Sequence, residues 1–181
     1  MARRYWRSDR PYDYSFDTSL ENQRLQDLWE QELRKLEEWW AFLDSLRKEL
    51  PGLTIGDATA TPDACFRCAA YSPRTSEPER PTRFIVVGCV SILAPVYTLY
   101  GVEYASSDIK RRKTRVYFEP LPSDMRQTAE VIARRIEATF TVTALPREIA
   151  ETPIPLFVEP LKPPQTTLFH AFFTSEPDRL P

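Results

Sequence analysis

Thr18 to Leu50 is the stretch that most narrows what this chain can fold into, because both ends of a long amphipathic helix are written into it. Thr18-Ser19-Leu20-Glu21 matches a capping box, in which a hydroxyl accepts from an early helical N–H and Glu21 reaches back to the cap. Apolar residues recur at Leu25, Trp29, Leu33, Leu36, Trp40, Leu43 and Leu50. Steps of three, four and seven place them along one stripe, with charged and amide side chains opposite. Pro51-Gly52 closes the run, since Pro cannot continue the ladder and Gly tolerates the exit. A stripe this large and aromatic has to be covered by something.

With 181 residues, one core burying roughly 70% of the unfolded chain's surface suffices without disulfides or metal. A net charge of -2 lacks the basic excess of a dedicated nucleic-acid or anionic-membrane protein. Four Gly against 17 Pro leaves no glycine-rich loop to cradle a phosphate, and no nucleotide fingerprint occurs. The preponderance of Arg over Lys, with abundant Pro and Ala, suits a GC-rich bacterial genome. Met1-Ala-Arg-Arg-Tyr-Trp-Arg lacks the apolar run of a signal peptide. Phe84 to Val102, the longest apolar stretch, is broken by Gly88, Pro95 and Thr98. The expectation is a cytoplasmic protein, with no membrane partner and its cysteines reduced.

Residues 1–17 form an arm in which Arg3, Arg4, Arg7 and Arg10 alternate with Tyr5, Trp6, Tyr12, Tyr14 and Phe16. Residues 18–181 are expected to form one α+β domain. Within it, 51–82 is a Pro-rich connecting segment and 83–121 a three-stranded antiparallel meander. A second helix occupies 122–140, capped by Ser123, and 141–181 is an extended Pro-rich C-terminal wrap. Phe84 to Leu93 is continuously apolar, as in a strand covered on both sides. Val96, Thr98, Tyr100, Val102 and Tyr104 share one face of the next strand, with Tyr97, Leu99 and Glu103 on the other. Val116 and Phe118 oppose Arg115, Tyr117 and Glu119 on the third. Residues 141–145 suit a short strand and 146–151 a helical turn. A short helix and an edge strand fit 167–173 equally. The meander, covered by the long helix and by a stripe of Met125, Ala129, Ile132, Ile136 and Phe140, makes a two-layer domain.

Few residues suggest chemistry. Cys65 and Cys68 have the spacing of half a zinc site, but the only further candidates are Cys89 and His170 and a closed site needs four ligands. Incidental pairing is the favoured account, and no cofactor or metal is expected. His170 is the sole histidine and has no evident catalytic partner. Glu103 and Glu119 can approach across strands, with Arg115 or Arg83 as cross-strand counter-ions. Lys110, Arg111 and Arg112 crown a hairpin tip that can grip phosphate or an acidic partner, or simply discourage edge aggregation.

The element order over residues 18–140 resembles two bacterial groups: small immunity proteins that neutralise a cognate toxin, and acidic secretion chaperones that hold an effector. The likeness is one of outline and carries over no functional residue. It implies a non-enzymatic protein-binding module of the immunity or adaptor/chaperone kind, whose partner is a toxin, effector or complex subunit. Aromatic and Arg side chains favour such interfaces, and Trp39, Trp40, Tyr97 and Tyr117 are the candidates beside Lys110, Arg111 and Arg112. Trp39 and Trp40 point about 100° apart on a helix, so one of them is free to face a partner or a second copy along the long helix. The alternative is a small enzyme or ligand-binding domain with a pocket between sheet and helices, using Glu103, Glu119, Arg115 and a Tyr. A further alternative, nucleic-acid association through residues 3–10 and 110–115, is disfavoured by net charge.

Overall fold

The computed structural model describes residues 1–9, 19–73, 82–105 and 113–181. The long helix comes in two parts: α1, Leu20–Glu32, and α2, Leu36–Glu49, joined by a 3-10 turn at Leu33–Lys35. Its cap is Ser19, whose hydroxyl accepts from the Asn22 N–H at 3.2 Å; Thr18 lies outside the described residues. The 3-10 turn changes which residues face inward. Each of its three residues advances 120° rather than 100°, so α2 is rotated by about 60° relative to a continuous helix. The inward stripe of Leu25 and Trp29 therefore continues through Trp39, Phe42, Leu43 and Leu46. Leu33 and Trp40, expected on that stripe, are exposed instead.

The sheet corrects the expectation of three strands. β1 (Thr54–Asp57), β2 (Cys65–Tyr71), β3 (Thr82–Ser91), β4 (Val96–Ala105) and β5 (Lys113–Tyr117) form an antiparallel meander in sequence order. A two-residue β6 (Thr143–Ala144) pairs parallel with the start of β4. Two strands thus lie inside 51–82, expected to be irregular. Every residue of β2 is buried, so it has no polar/apolar alternation to reveal it, and the flanking Thr, Pro and Asp obscured a seven-residue run. Alternation within β4 and β5 falls as expected, with Tyr100 and Val102 buried on one side and Tyr97 and Leu99 on the other.

One face of the sheet carries α2 and α3 (Ser123–Thr139). Ser123 begins α3 but does not cap it; Pro122 is the cap residue, and the Ser123 hydroxyl bonds the Asp124 carboxylate at 2.9 Å. Glu49 pairs with Arg134 and Arg135, tying α2 to α3. Two glycines make the seat for α3. A Cβ at Gly88 would lie 2.8 Å from Ile132 Cγ2, and one at Gly101 would overlap Met125 Sδ. Because Gly88 faces Leu99 and Gly101 faces Val86, the two sit diagonally and leave a trough along which α3 descends. Gly101→Val is expected to lift that helix and cost about 1–3 kcal/mol, measured as a lower urea midpoint at unchanged m value.

The other face is covered too, so the domain is not two-layered. Residues 145–181 fold back across it with α4 (Arg147–Ala150) and α5 (Leu168–Phe172). Phe169 and Phe173 pack there against Val87, Tyr100 and Val102. Segment 167–173 is thus helical, capped by Thr167, whose side chain and N–H both engage His170. Hydrogen bonds hold the tail down: Ala64 N–H to Phe173 O, Tyr104 OH to Asp178 O and Tyr71 OH to Pro181 O. The described part of the arm, residues 1–9, also packs on the protein. Trp6 is fully buried, and its indole N–H donates to Ala171 O at 2.8 Å.

Candidate functional site

β4 gives its outer edge to two partners that do not meet. β6 pairs with Val96 and Tyr97, and β5 pairs with Gly101 through Ala105. Between them Leu99 is left over. Leu145 N–H donates to Tyr97 O at 2.8 Å, which shows that odd-numbered residues of β4 turn their peptide groups toward this edge. The N–H and C=O of Leu99 therefore face the gap, and among the described residues neither takes part in a backbone hydrogen bond there.

Over that gap lies a cavity of about 190 Å3. Its walls are Leu99 from the sheet, Phe118 just past the end of β5, Ala133 from α3, Leu145 and Ala150 from around α4, and Phe169 from α5. Phe118 and Phe169 meet edge to face with ring centroids 5.0 Å apart. Glu119, Arg147, Glu151 and His170 supply the polar groups. Arg147 is committed, donating to the Glu151 carboxylate at 2.7 Å and to Glu119 O at 2.6 Å. His170 Nδ1 accepts from the Thr167 N–H at 3.0 Å, which places the proton of the neutral ring on Nε2. Burial lowers the His170 pKa, so the ring is neutral near pH 7. A wider open groove of about 610 Å3 adjoins the cavity and shares Leu99, Glu119, Ala133 and Arg147.

The residues expected to bind partners are scattered. Trp39 is a core residue, 1% exposed, stacked on Phe42 at 5.1 Å and donating from its indole to Asp57 Oδ1 at 3.3 Å. Tyr97 is likewise buried, and its hydroxyl donates to Glu137 Oε1 at 2.6 Å. Burial and that bond to a carboxylate raise the phenol's pKa, keeping it a proton donor. Tyr117 is half-buried beneath the Arg115 guanidinium and bonds the Glu103 carboxylate. Trp40 alone of the four stands in solvent, 45% exposed. Lys110, Arg111 and Arg112 lie outside the described residues.

Cys65 and Cys68 do not make half a metal site. They are three apart on a strand, so their side chains leave opposite faces of the sheet. Cys65 belongs to the face covered by the C-terminal tail and Cys68 to the face covered by α3. Burial raises both thiols, Cys68 to about 12, so neither is a ready thiolate. Among the described residues no group of three or more His, Cys, Asp or Glu is placed to hold a metal ion. Glu103 pairs across the strands with Arg115 in register but bonds Tyr117, and Arg83 stacks on Tyr71 at 4.6 Å.

Arg67, between the two cysteines, is the polar residue that sequence reasoning passed over. It is almost wholly buried. It donates to Ala58 O at 2.8 Å, Thr174 Oγ1 at 3.4 Å and Arg179 O at 3.2 Å, and lies 3.5 Å from Asp63 Oδ2. Burial would lower its pKa, but Tyr100, Asp63 and the nearby thiols outweigh this and raise it. Burial also pushes the Asp63 carboxyl up to about 6 against the pull of Arg67. Arg67 has three further acceptors and stays charged; the carboxyl is where desolvation wins. The signal for this knot was a lone Arg inside the apolar run Cys-Phe-Arg-Cys-Ala-Ala-Tyr.

Among the described residues no helix is long and apolar enough to cross a membrane. No protein-family model, curated protein or solved structure matches the chain.

Proposed function

We propose that this chain is a non-enzymatic binding module whose partner is another protein, in the manner of an adaptor or chaperone. The observation that carries the reading is the outward turn of Trp40. Leu33, 39% exposed, lies seven residues before it, and with the 3-10 turn between them the two stand about 40° apart around the axis, with Leu36 half-buried between them. A single Trp on a rigid helix, flanked by aliphatic side chains, suits an interface anchor because it offers large area at little entropic cost. Glu37, three residues before it, and the Asp44–Arg47 ion pair, four and seven residues after it, border it, favouring a partner with a polar rim around an apolar socket. Cover on both faces of the sheet departs from the two-layer outline that suggested immunity proteins and secretion chaperones, so that likeness lends little to either kind. Nucleic-acid association is likewise weakened, because Trp6 of the arm is spent on Ala171.

Trp40→Ser is the test. Because Trp40 already stands in water, stability is expected to change by no more than about 0.5–1 kcal/mol. Capture of a partner from a bacterial lysate by immobilised chain, followed by titration of that partner, is expected to weaken at least about tenfold with the variant. Unaltered affinity would refute an anchoring role. Sedimentation of the isolated chain separates a foreign partner from a second copy, since only self-association through the helix would vanish with the substitution.

The cavity beside β4 favours a second reading, a ligand-binding domain with its pocket between sheet and helices. Of the groups expected for such a pocket Glu119 lines it, and Tyr97, expected instead at a partner interface, supplies the tyrosine; Glu103 and Arg115 do not line it.

A further inference from the structure

Every strand in a sheet poses the question of where its peptide hydrogen bonds go. Along the outer edge of β4, β6 takes Val96 and Tyr97 and β5 takes Gly101 to Ala105, and Leu99 is left without a backbone partner among the described residues. That residue is 8% exposed, yet its donor and acceptor meet neither Leu145 on one side nor Glu119 on the other. A buried peptide group left without partners is costly, and natural folds rarely keep one. Here the unpaired edge forms part of the wall of a cavity otherwise lined by Phe118, Phe169 and aliphatic side chains.

We propose that the slot binds a small planar molecule, one ring in size, that presents a donor beside an acceptor, as a primary carboxamide or lactam does. The inference rests on the ligand-binding reading of the same cavity. Leu99 N–H gives its hydrogen bond to the ligand carbonyl, and Leu99 C=O accepts from the ligand N–H, so that the ligand stands in for the missing strand residue between β6 and β5. The ring lies among the apolar side chains. A cavity near 190 Å3 suits one ring with a small head group, since about 150 Å3 of apolar space is enough for benzene. His170 Nε2–H and the Glu119 carboxylate have no hydrogen-bond or ion-pair partner among the described residues. They add one donor and one acceptor at the rim, so a substituent on the ring can be recognised as well.

The chemistry separates this ligand from its neighbours. A free carboxylate has no N–H for Leu99 C=O and would set its charge against Glu119. A purely apolar ring would leave the peptide edge unpaired. A longer molecule has room to continue into the adjoining groove past Ala133 and Arg147.

Benzamide is the probe, with acetophenone and toluene as controls. Acetophenone has nearly the same shape but exchanges the amide NH2 for a methyl group and so lacks the donor. Binding is followed on the intact chain by amide chemical shifts and by isothermal titration. Benzamide is expected to bind about tenfold tighter than acetophenone, the worth of one hydrogen bond made in a dry site. The Leu99 amide resonance is expected among the largest shifts. Ala144→Trp, at an exposed position lining the slot, is expected to abolish binding with the fold retained. Ala133→Leu fills the cavity from α3 and guards against a misplaced Trp. Equal affinity for benzamide, acetophenone and toluene would overturn the carboxamide proposal and leave a ring-binding pocket. No binding by any probe, or binding unmoved by both filling variants, would overturn the pocket reading together with it.

Discussion

Trp39→Ala is expected to remove about 3–5 kcal/mol of stability, while the adjacent Trp40→Ala changes it by less than about 1 kcal/mol. The two residues share sequence, helix and chemistry, and only rotation about the helix axis separates them. Trp39 sits in a box of aromatic rings, 5.1 Å from Phe42, 5.2 Å from Phe66 and 6.0 Å from Phe140. It bridges α2 to β2 and to the end of α3. Truncating it leaves a void that three other rings cannot fill without leaving their rotamers. Asp57 also loses the indole donor. For a chain of this size the loss corresponds to roughly 10 °C in Tm. Thermal and urea unfolding of both variants decide the matter; comparable losses would mean that the 3-10 turn does not rotate α2 as described.

Arg67→Met is expected to cost about 3–5 kcal/mol near neutral pH, because it leaves the Asp63 carboxylate buried without its cation. The pH dependence gives a second signature. Asp63 is ordinarily near 3.8 and is raised to about 6 in the fold, mainly by burial. Between those values the folded chain holds a proton that the unfolded chain has released. Stability from this group is therefore fully present below about pH 3.8 and is lost as pH rises through about 6. The loss amounts to about 2–3 kcal/mol. Asp63→Asn is expected to flatten that portion of the stability–pH curve. Arg67→Met is expected to carry it to higher pH, because removing the cation raises the carboxyl further. Urea midpoints at pH 4, 5, 6 and 7 for the three chains test this, and parallel curves for all three would rule it out.

The Arg67 knot also shows what kind of feature escapes a sequence. A lone Arg in an apolar run is visible, but its partners are not. Thr174 and Arg179 lie more than a hundred residues away, and nothing local brings them near. The slot beside β4 is hidden for the same reason. Glu119 stands among the polar groups expected of a pocket, yet the cavity exists because β5 ends before Leu99 and β6 stops short of it. Strand ends set by packing leave no mark in composition. The cysteine pair is the opposite case: its spacing is that of half a zinc site, and the strand's two-residue period sends the sulfurs to opposite sides.

What the sequence determined by itself was local. Helical periods in 20–49 and 123–139, alternation in β4 and β5 and the turn at Pro146 all follow from neighbours in the chain. Backbone geometry and side-chain period are short-range, so a few residues suffice to specify them. What only the tertiary structure decided was which face meets what. Three residues of 3-10 turn, at no cost in sequence pattern, exchanged Trp40 for Trp39 in the core. The C-terminal tail turned a sheet with one covered side into one with two, hid β2 from the eye and enclosed the slot. Those outcomes depend on the summed burial of groups far apart in sequence, a quantity that no local window contains.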